Sequence, residues 1–407
     1  MKKLLVLALG LLTALGGFVD ISEIVFASQA GAQFGHSLLW TLVVGVIGIM
    51  VYSEMSGRVA AVSGLTVFDI IRRDYPPKLG FLTLVLSIIV NLLTCAAEIG
   101  GVALILQLLA GFPYQALIPV VLVAIFLIVW YMPYQGIERL FGYMGAALVL
   151  FVIIGIKLLG NGADVPGIIP EALGSDTLSY WYFAVGMIAA LLMPYQIYFY
   201  SSGGIEEGWK PTDMASNRIN AFIGFLLGTL LVAGIMVASA QLFLPAQISP
   251  DFIGTPVLLG LATFGQIGVL LLLLGMLFSI GGSAVETAFS GAYNLSQYAG
   301  WRWGKHLPRG QVPKFTKAWI AMLAAGALII ATGIDPVALT EYAVIFSVVV
   351  MPLTYYPIFK AARDKKLMGT YANGRLATVL GWAYLVIIML VAVAAVPLML
   401  LTHQGRG

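Results

Sequence analysis

Eleven stretches of this sequence are long and apolar enough to cross a bilayer, and no other feature narrows the fold as far. They run over 4–31, 36–56, 79–109, 115–133, 141–160, 181–203, 216–242, 265–296, 314–333, 335–361 and 375–402. A spanning helix needs about 20 mostly apolar residues, because lipid offers no partner to an open backbone group. The stretches are continuous, not ten-residue alternations, which favours helices over a β-barrel. Composition agrees: 60% of the 407 residues are hydrophobic and 10% charged. Soluble domains carry about 25% charged residues, and disordered chains are poor in apolar side chains, so both classes are excluded. Cys95 is the single cysteine, which excludes a disulfide framework, and a net charge of +3 is too small to read as nucleic-acid affinity. The expected fold is an all-α integral membrane protein held in the lipid bilayer.

Lys and Arg then set the orientation, because cytoplasmic loops retain them. All 21 basic residues except Lys157 and Arg406 lie at the N-terminus, in the connections after even-numbered spans, or on their flanks. The N-terminus is therefore expected in the cytoplasm, the C-terminus outside, and the protein in the cell's inner (plasma) membrane as a multi-pass chain. The start, Met1-Lys2-Lys3 before an apolar run, resembles a secretory leader with Ala27 to Ala30 as a cleavage point. Asp20 and Glu23 interrupt that run, and a retained first helix is the favoured reading.

Acidic residues inside the spans carry the functional argument. Asp20 and Glu23 interrupt span 1, Glu98 lies in span 3 and Glu286 in span 8, with no Lys or Arg in mid-span beside them. An ionised carboxylate at the bilayer centre costs about 3 kcal/mol even on the mildest scale, so such groups need protons, cations or a wet cavity. Asp20 and Glu23 sit three apart on one helical face, a repulsive spacing that a bound cation would relieve. Glu286 reads either as a path residue or as an acid held by Ser283, Thr287 or Ser290. Glu54 and Glu341 read as helix-end residues whose heads snorkel to the interface.

Transporters bind substrate where helices are interrupted at matching places in two halves of the chain. Gly16-Gly17 precede Asp20 in span 1, and five spans later Met193-Pro194 interrupts span 6. Proline removes a helical donor, so the carbonyls of Ala189 and Ala190 are expected to lose their partners. The Met193 thioether is a soft ligand suited to transition metals. Asp20, Glu23, Met193 and the Ala190 carbonyl are the candidate metal ligands, with Gln196 completing the shell.

At these residues the chain resembles the NRAMP family of divalent-metal transporters. The resemblance rests on Ala30 to Gly35 with Ser37-Leu38-Leu39-Trp40, Gly57 to Gly64, Arg72 to Pro76, Ala97-Glu98-Ile99-Gly100, and Ala190 to Ser202. It implies a LeuT-like fold of inverted five-helix repeats plus one extra helix: 1–160, with helix 1 interrupted near Asp20; 181–361, with helix 6 interrupted at Met193-Pro194; and 375–402 as helix 11. The family's Asp-Pro-Gly-Asn reads Asp20-Ile21-Ser22-Glu23 here, which leaves open whether helix 1 is unwound. The family's two sixth-helix histidines are Tyr195 and Tyr200, its third-helix aspartate is Cys95, and its tenth-helix glutamine is Val344. Histidine titrates near neutral pH and tyrosine does not, so proton coupling is expected to be weak or absent.

The resemblance thus implies a secondary transporter of a divalent cation, Mn²⁺ or Fe²⁺ with Mg²⁺ as the hard-ion option, moved by alternating access. Glu98, Tyr195, Gln196, Tyr200 and Glu286 are the expected path or relay residues. The alternative is a transporter of the same fold for an organic cation or amino-acid-like solute, recognised by Glu23 and by Tyr195 and Tyr198 among the aromatics of span 6. Tyr180, Trp181 and Tyr182 count for less, as residues of an interfacial belt. The metal is cargo and no cofactor or protein partner is expected. No phosphate loop, zinc motif or nucleophile–base pair supports an enzyme, and His36, His306 and His403 fall in loops or the tail.

Overall fold

A computed structural model describes residues 19–159 and 177–405, and these contain helices and connections without a strand. Residues 1–18, with Gly16-Gly17 and the leader question, lie outside the described residues, as does Arg406. Every expected span from the second onward has its helix, and the described end of span 1 is helical. They are α1 (Ile21–Phe34), α2 (Leu39–Ser63), α3 (Pro77–Ala110) and α4 (Tyr114–Tyr131). α5 runs from Tyr134–Gly145 through a 3₁₀ turn into Val149–Leu159. Then come α6a (Thr177–Leu191), α6b (Pro194–Glu206), α7 (Met214–Ala246), α8 (Val257–Tyr298), α9 (Pro313–Ala331), α10 (Pro336–Arg363) and α11 (Arg375–Leu401). Among the described residues ten helical runs are long and apolar enough to cross a membrane, and α1 accompanies them.

Local chemistry marks the ends. Proline opens α3, α6b, α9 and α10, where its missing N–H costs nothing. Gly64 and Gly111 close α2 and α3 in the left-handed conformation. A short helix, Val67–Asp74, joins α2 to α3, capped by Thr66 and Asp69 and anchored by buried Phe68 and Ile71.

Burial sorts the helices into a core and a rim. Of the apolar window of α6, 89% is buried, against 28% for α4 and for α11, whose remaining apolar surface faces lipid. α3 packs on α8, α9 and α10, and α1 on α7 and α6a. The α1–α7 approach needs Gly31, where a Cβ would lie 2.3 Å from the Met236 carbonyl oxygen.

Span 8 starts where expected: Gly265 (φ 64°, ψ −151°) separates a short helix, 257–264, from the long part of α8 that follows it. Gly260 and Gly268 then meet closely enough that a Cβ on Gly268 would lie 2.4 Å from the Gly260 oxygen, so 257–264 folds back on α8. The expected aromatic belt, by contrast, divides: Trp181 is exposed, but Tyr180 and Tyr182 are buried, and the Tyr180 hydroxyl donates to the Ser37 carbonyl at 3.1 Å.

Candidate cation site

The described part of helix 1 starts at Asp20. That residue's backbone is extended (φ −100°, ψ −176°), and α1 is already helical at Ile21 and Ser22. Asp20 is the N-cap: Oδ1 accepts from the Ser22 N–H at 2.6 Å, the Glu23 N–H at 3.3 Å and the Ser22 hydroxyl. Glu23 Oε2 reciprocally accepts the Asp20 N–H at 2.6 Å. This capping box corrects the reading of the pair as simply repulsive, since each carboxylate satisfies the other's backbone and both lie at the positive end of α1. Asp20 and Glu23 are 1% and 2% exposed.

The break in helix 6 follows from Pro194. α6a ends at Leu191, Met193 has φ −58° and ψ 125°, and α6b restarts at Pro194. Pro194 stands where the donor for the Ala190 carbonyl would be and has no N–H. The Ala189 carbonyl, expected to be released, instead accepts the Leu192 N–H at 3.1 Å. The Leu192 carbonyl accepts the Tyr355 hydroxyl of α10 at 2.8 Å, a partner the sequence did not announce. Ala190 and Met193 are fully buried.

The first turn of α6b closes on the first turn of α1. The Tyr195 hydroxyl donates to Asp20 Oδ2 at 2.8 Å, and the Gln196 side chain lies near Glu23. α8 braces both places, with the Ser279 hydroxyl on the Val19 carbonyl and the Ser290 hydroxyl 3.3 Å from the Tyr195 carbonyl. Asp20, Glu23, Tyr195 and Gln196 therefore meet in one buried place, with Met193 and Ala190 in the adjoining break. No Lys or Arg pairs with either carboxylate among the described residues. Nor do three His, Cys, Asp or Glu residues gather there into a metal-holding cluster. The donors on offer are two carboxylates, an amide, a phenol, a carbonyl and a thioether.

The remaining expected residues separate into neighbours and bystanders. Glu98 on α3 is fully buried and Oε2 meets the Thr287 hydroxyl, while Oε1 finds no hydrogen-bond partner among the described residues. Thr287 also reaches the Ser283 carbonyl and Ser290 serves Tyr195, so two of the three hydroxyls expected to hold Glu286 are engaged elsewhere. Glu286 lies within electrostatic reach of Lys305, which comes from the α8–α9 connection and not from a span. Tyr200 is a correction: its hydroxyl donates to Asn217 Oδ1 at 2.9 Å, towards α7 and away from Asp20.

The helix-end acids differ from expectation too. Glu341 is fully buried and its Oε1 accepts from Gln29 Nε2 of α1 at 2.9 Å, so it does not snorkel. Glu54 pairs with Arg58 at 2.9 Å and Arg218 at 3.5 Å. His36 sits in a connection as expected, yet it is buried and 3.3 Å from Gln241.

A sequence profile described as "Natural resistance-associated macrophage protein-like" matches residues 10–397. The divalent metal cation transporter MntH of Staphylococcus aureus (strain JH9) is 24% identical, over 96% of this chain and 90% of that one. A manganese transporter of Eremococcus coleocola, solved with an aromatic bis-isothiourea compound, superposes with a TM-score of 0.74 at 20% identity, covering 96% of this chain and 86% of that chain. Mhp1, a nucleobase-cation-symport-1 family transporter, superposes with a TM-score of 0.60 at 16% identity, covering 97% and 90%. These likenesses give the chain a LeuT-like fold, and the profile spans nearly all of it: the chain belongs to the natural resistance-associated macrophage protein-like (Nramp) family.

Proposed function

We propose that the protein is a secondary transporter that carries a divalent metal cation across the cytoplasmic membrane by alternating access. The observation that carries this reading is a pair of buried carboxylates, Asp20 and Glu23, without a basic partner among the described residues and held between the start of α1 and the break at Met193-Pro194. Two negative charges match one divalent cation, which offsets the cost of leaving either buried alone. Asp20 and Glu23 are the charged ligands. Met193, the Ala190 carbonyl and Gln196 replace the remaining hydration, and the thioether tilts preference towards Mn²⁺ or Fe²⁺ over Mg²⁺, which sheds water reluctantly.

Asp20 already receives the Ser22 N–H, the Ser22 hydroxyl, the Glu23 N–H and the Tyr195 hydroxyl. A carboxylate offers about four lone-pair sites, so an arriving cation takes the place of one donor. Tyr195 is the one that can yield, because the two N–H donors belong to the helix cap and the Ser22 hydroxyl stays within the same turn of α1. Its displacement releases α6b from α1, which couples occupancy of the site to movement of 181–361 against 1–160. Tyr195 does not titrate near neutral pH, and Glu98 is left as the acid that sets the field behind the site, so tight proton coupling is not part of this reading. The N-terminus lies in the cytoplasm and the C-terminus outside.

The organic-cation alternative has less support. Tyr195 is bound to Asp20, Tyr198 lies 2.9 Å from the Ser87 hydroxyl with its ring on Phe68, and Tyr180 is held by Ser37, so these aromatics join helices instead of lining a cage. Calorimetric titration of the purified protein with Mn²⁺, Cd²⁺ and Mg²⁺ tests the metal reading. Heat with the softer ions that disappears in Asp20→Ala supports it; heat unchanged by that substitution, or found only with amines, rejects it.

A further inference from the structure

Lys305 lies in the connection from α8 to α9, on the face that carries the basic loops, yet its side chain is only 3% exposed. Lysine is rarely buried without a partner, because its ammonium is strongly hydrated. Here the ammonium sits 4.0 Å from the centre of the Tyr134 ring and 4.5 Å from that of Phe199, with Glu138 Oε1 at 4.0 Å. Tyr134 and Glu138 are one turn apart on α5, and Phe199 is one turn from Gly203 on α6b. A Cβ on Gly203 would meet the Lys305 nitrogen at 3.8 Å and nothing else within 4 Å. The loop that delivers the lysine is pinned separately, by Glu206 accepting the Lys305 backbone N–H. Carboxylate and ring faces around one ammonium are the chemistry of a cation site.

The position of this cage matters as much as its composition. Tyr195, Phe199 and Gly203 are spaced four apart on one face of α6b, and Tyr195 touches Asp20. At 1.5 Å per residue the Lys305 ammonium lies roughly 10 Å below Asp20 along that face. Glu286, the α8 acid without a hydroxyl partner of its own, feels the same lysine.

We propose that the cage of Tyr134, Glu138, Phe199 and Gly203 is a cation site at the cytoplasmic mouth of the path, with Lys305 as its tethered occupant, closing the exit until a travelling cation displaces it. The exit role rests on the transport reading above; the existence of an occupied cation cage does not.

The first test contains no metal. Gly203→Cys places a thiol beside the ammonium, and its modification in nanodiscs is followed by peptide mass spectrometry with a trimethylammonium and a sulfonate thiosulfonate reagent of similar size. With Lys305 present both reagents are slow. In the Lys305→Met background the cationic reagent reacts faster than the anionic one by about tenfold, as expected where negative charge concentrates cations. Unchanged rates, or an equal rise for both reagents, overturn the proposal, since a loop that merely loosened would not choose by charge. Should Lys305→Met not fold, the unmutated chain answers through reductive methylation of Lys305 measured against exposed Lys366. Faster methylation of Lys305 in MnCl₂ than in choline chloride of equal ionic strength supports displacement, and an unchanged ratio overturns it. Failure in manganese with charge selection retained in the first test would count against the transport step and leave the cage standing.

Discussion

Two places in this protein bury acids within a turn of each other's helices, and they differ in one respect. Glu54 on α2 faces Arg58, one turn on, in a two-pronged pair at 2.9 and 3.0 Å, and Arg58 also reaches the Tyr371 carbonyl and Asn373 Oδ1. The acid is neutralised, and the arginine ties α2 to the connection between α10 and α11. Asp20 and Glu23 have caps, a phenol and an amide around them and no basic partner among the described residues. Both arrangements satisfy hydrogen bonds, but only the second leaves net negative charge inside the membrane. Charge balance, more than burial, separates a structural staple from a site awaiting a cation.

The contrast can be broken at either end. Arg58→Met would leave Glu54 only the exposed Arg218 at 3.5 Å and cost about 3 kcal/mol, the lower end for a buried pair deprived of one member. Its signature is a large fall in the thermal unfolding midpoint, with metal affinity of the surviving folded protein unchanged. Asp20→Asn does the reverse. Asparagine caps a helix as well as aspartate does, so the unfolding midpoint should barely move. Mn²⁺ affinity measured by calorimetry should fall by about 100-fold, or about 2.7 kcal/mol. If both substitutions acted on stability alone, the distinction between staple and site would fail.

Tyr195→Phe sharpens the comparison by removing the neutral competitor from Asp20. A hydrogen bond to a charged group contributes about 1.5–3 kcal/mol, so part of that energy becomes available to the cation and Mn²⁺ binding should tighten by up to about tenfold. Weaker binding would instead make the phenol oxygen a ligand. The smallest effect is expected at Asp74, which ends the short helix before α3. The Arg73 guanidinium at 2.5 Å holds its carboxyl below the usual carboxylate range, assisted by Lys360 and opposed by partial burial. A depressed folded value stabilises above the unfolded value and is lost as pH falls through the folded one. Asp74→Asn should therefore lower the stability at neutral pH by less than about 1 kcal/mol, since both basic partners are about half exposed, and the difference should vanish in acid.

Much of the fold is readable from the chain because lipid permits so few solutions. Each apolar run from the second onward returned as a helix, and Pro194 placed the sixth-helix break where its missing donor demanded. The Asp20-to-Glu23 spacing also matches a capping box, a signal that was present but masked by reading both acids as ligands. Other assignments failed for a common reason. Tyr200 was placed at the site by analogy with a family histidine, yet its ring turns to Asn217 on α7. Glu341 looked like a helix-end residue, yet Gln29, more than 300 positions away, buries it. Helical periodicity states which residues share a face and is silent on what that face meets.

The sequence alone determined the helical spans from the second onward, the break at Met193-Pro194 and the presence of acids within the spans, because these follow from hydropathy, from proline's missing N–H and from counting charges. Only the tertiary structure decided that Tyr195 lies on Asp20, that Tyr355 occupies the Leu192 carbonyl and that Lys305 fills a cage of its own. Those are contacts between segments remote in the chain, set by how helices cross and rotate about their axes, and a one-dimensional pattern carries neither quantity.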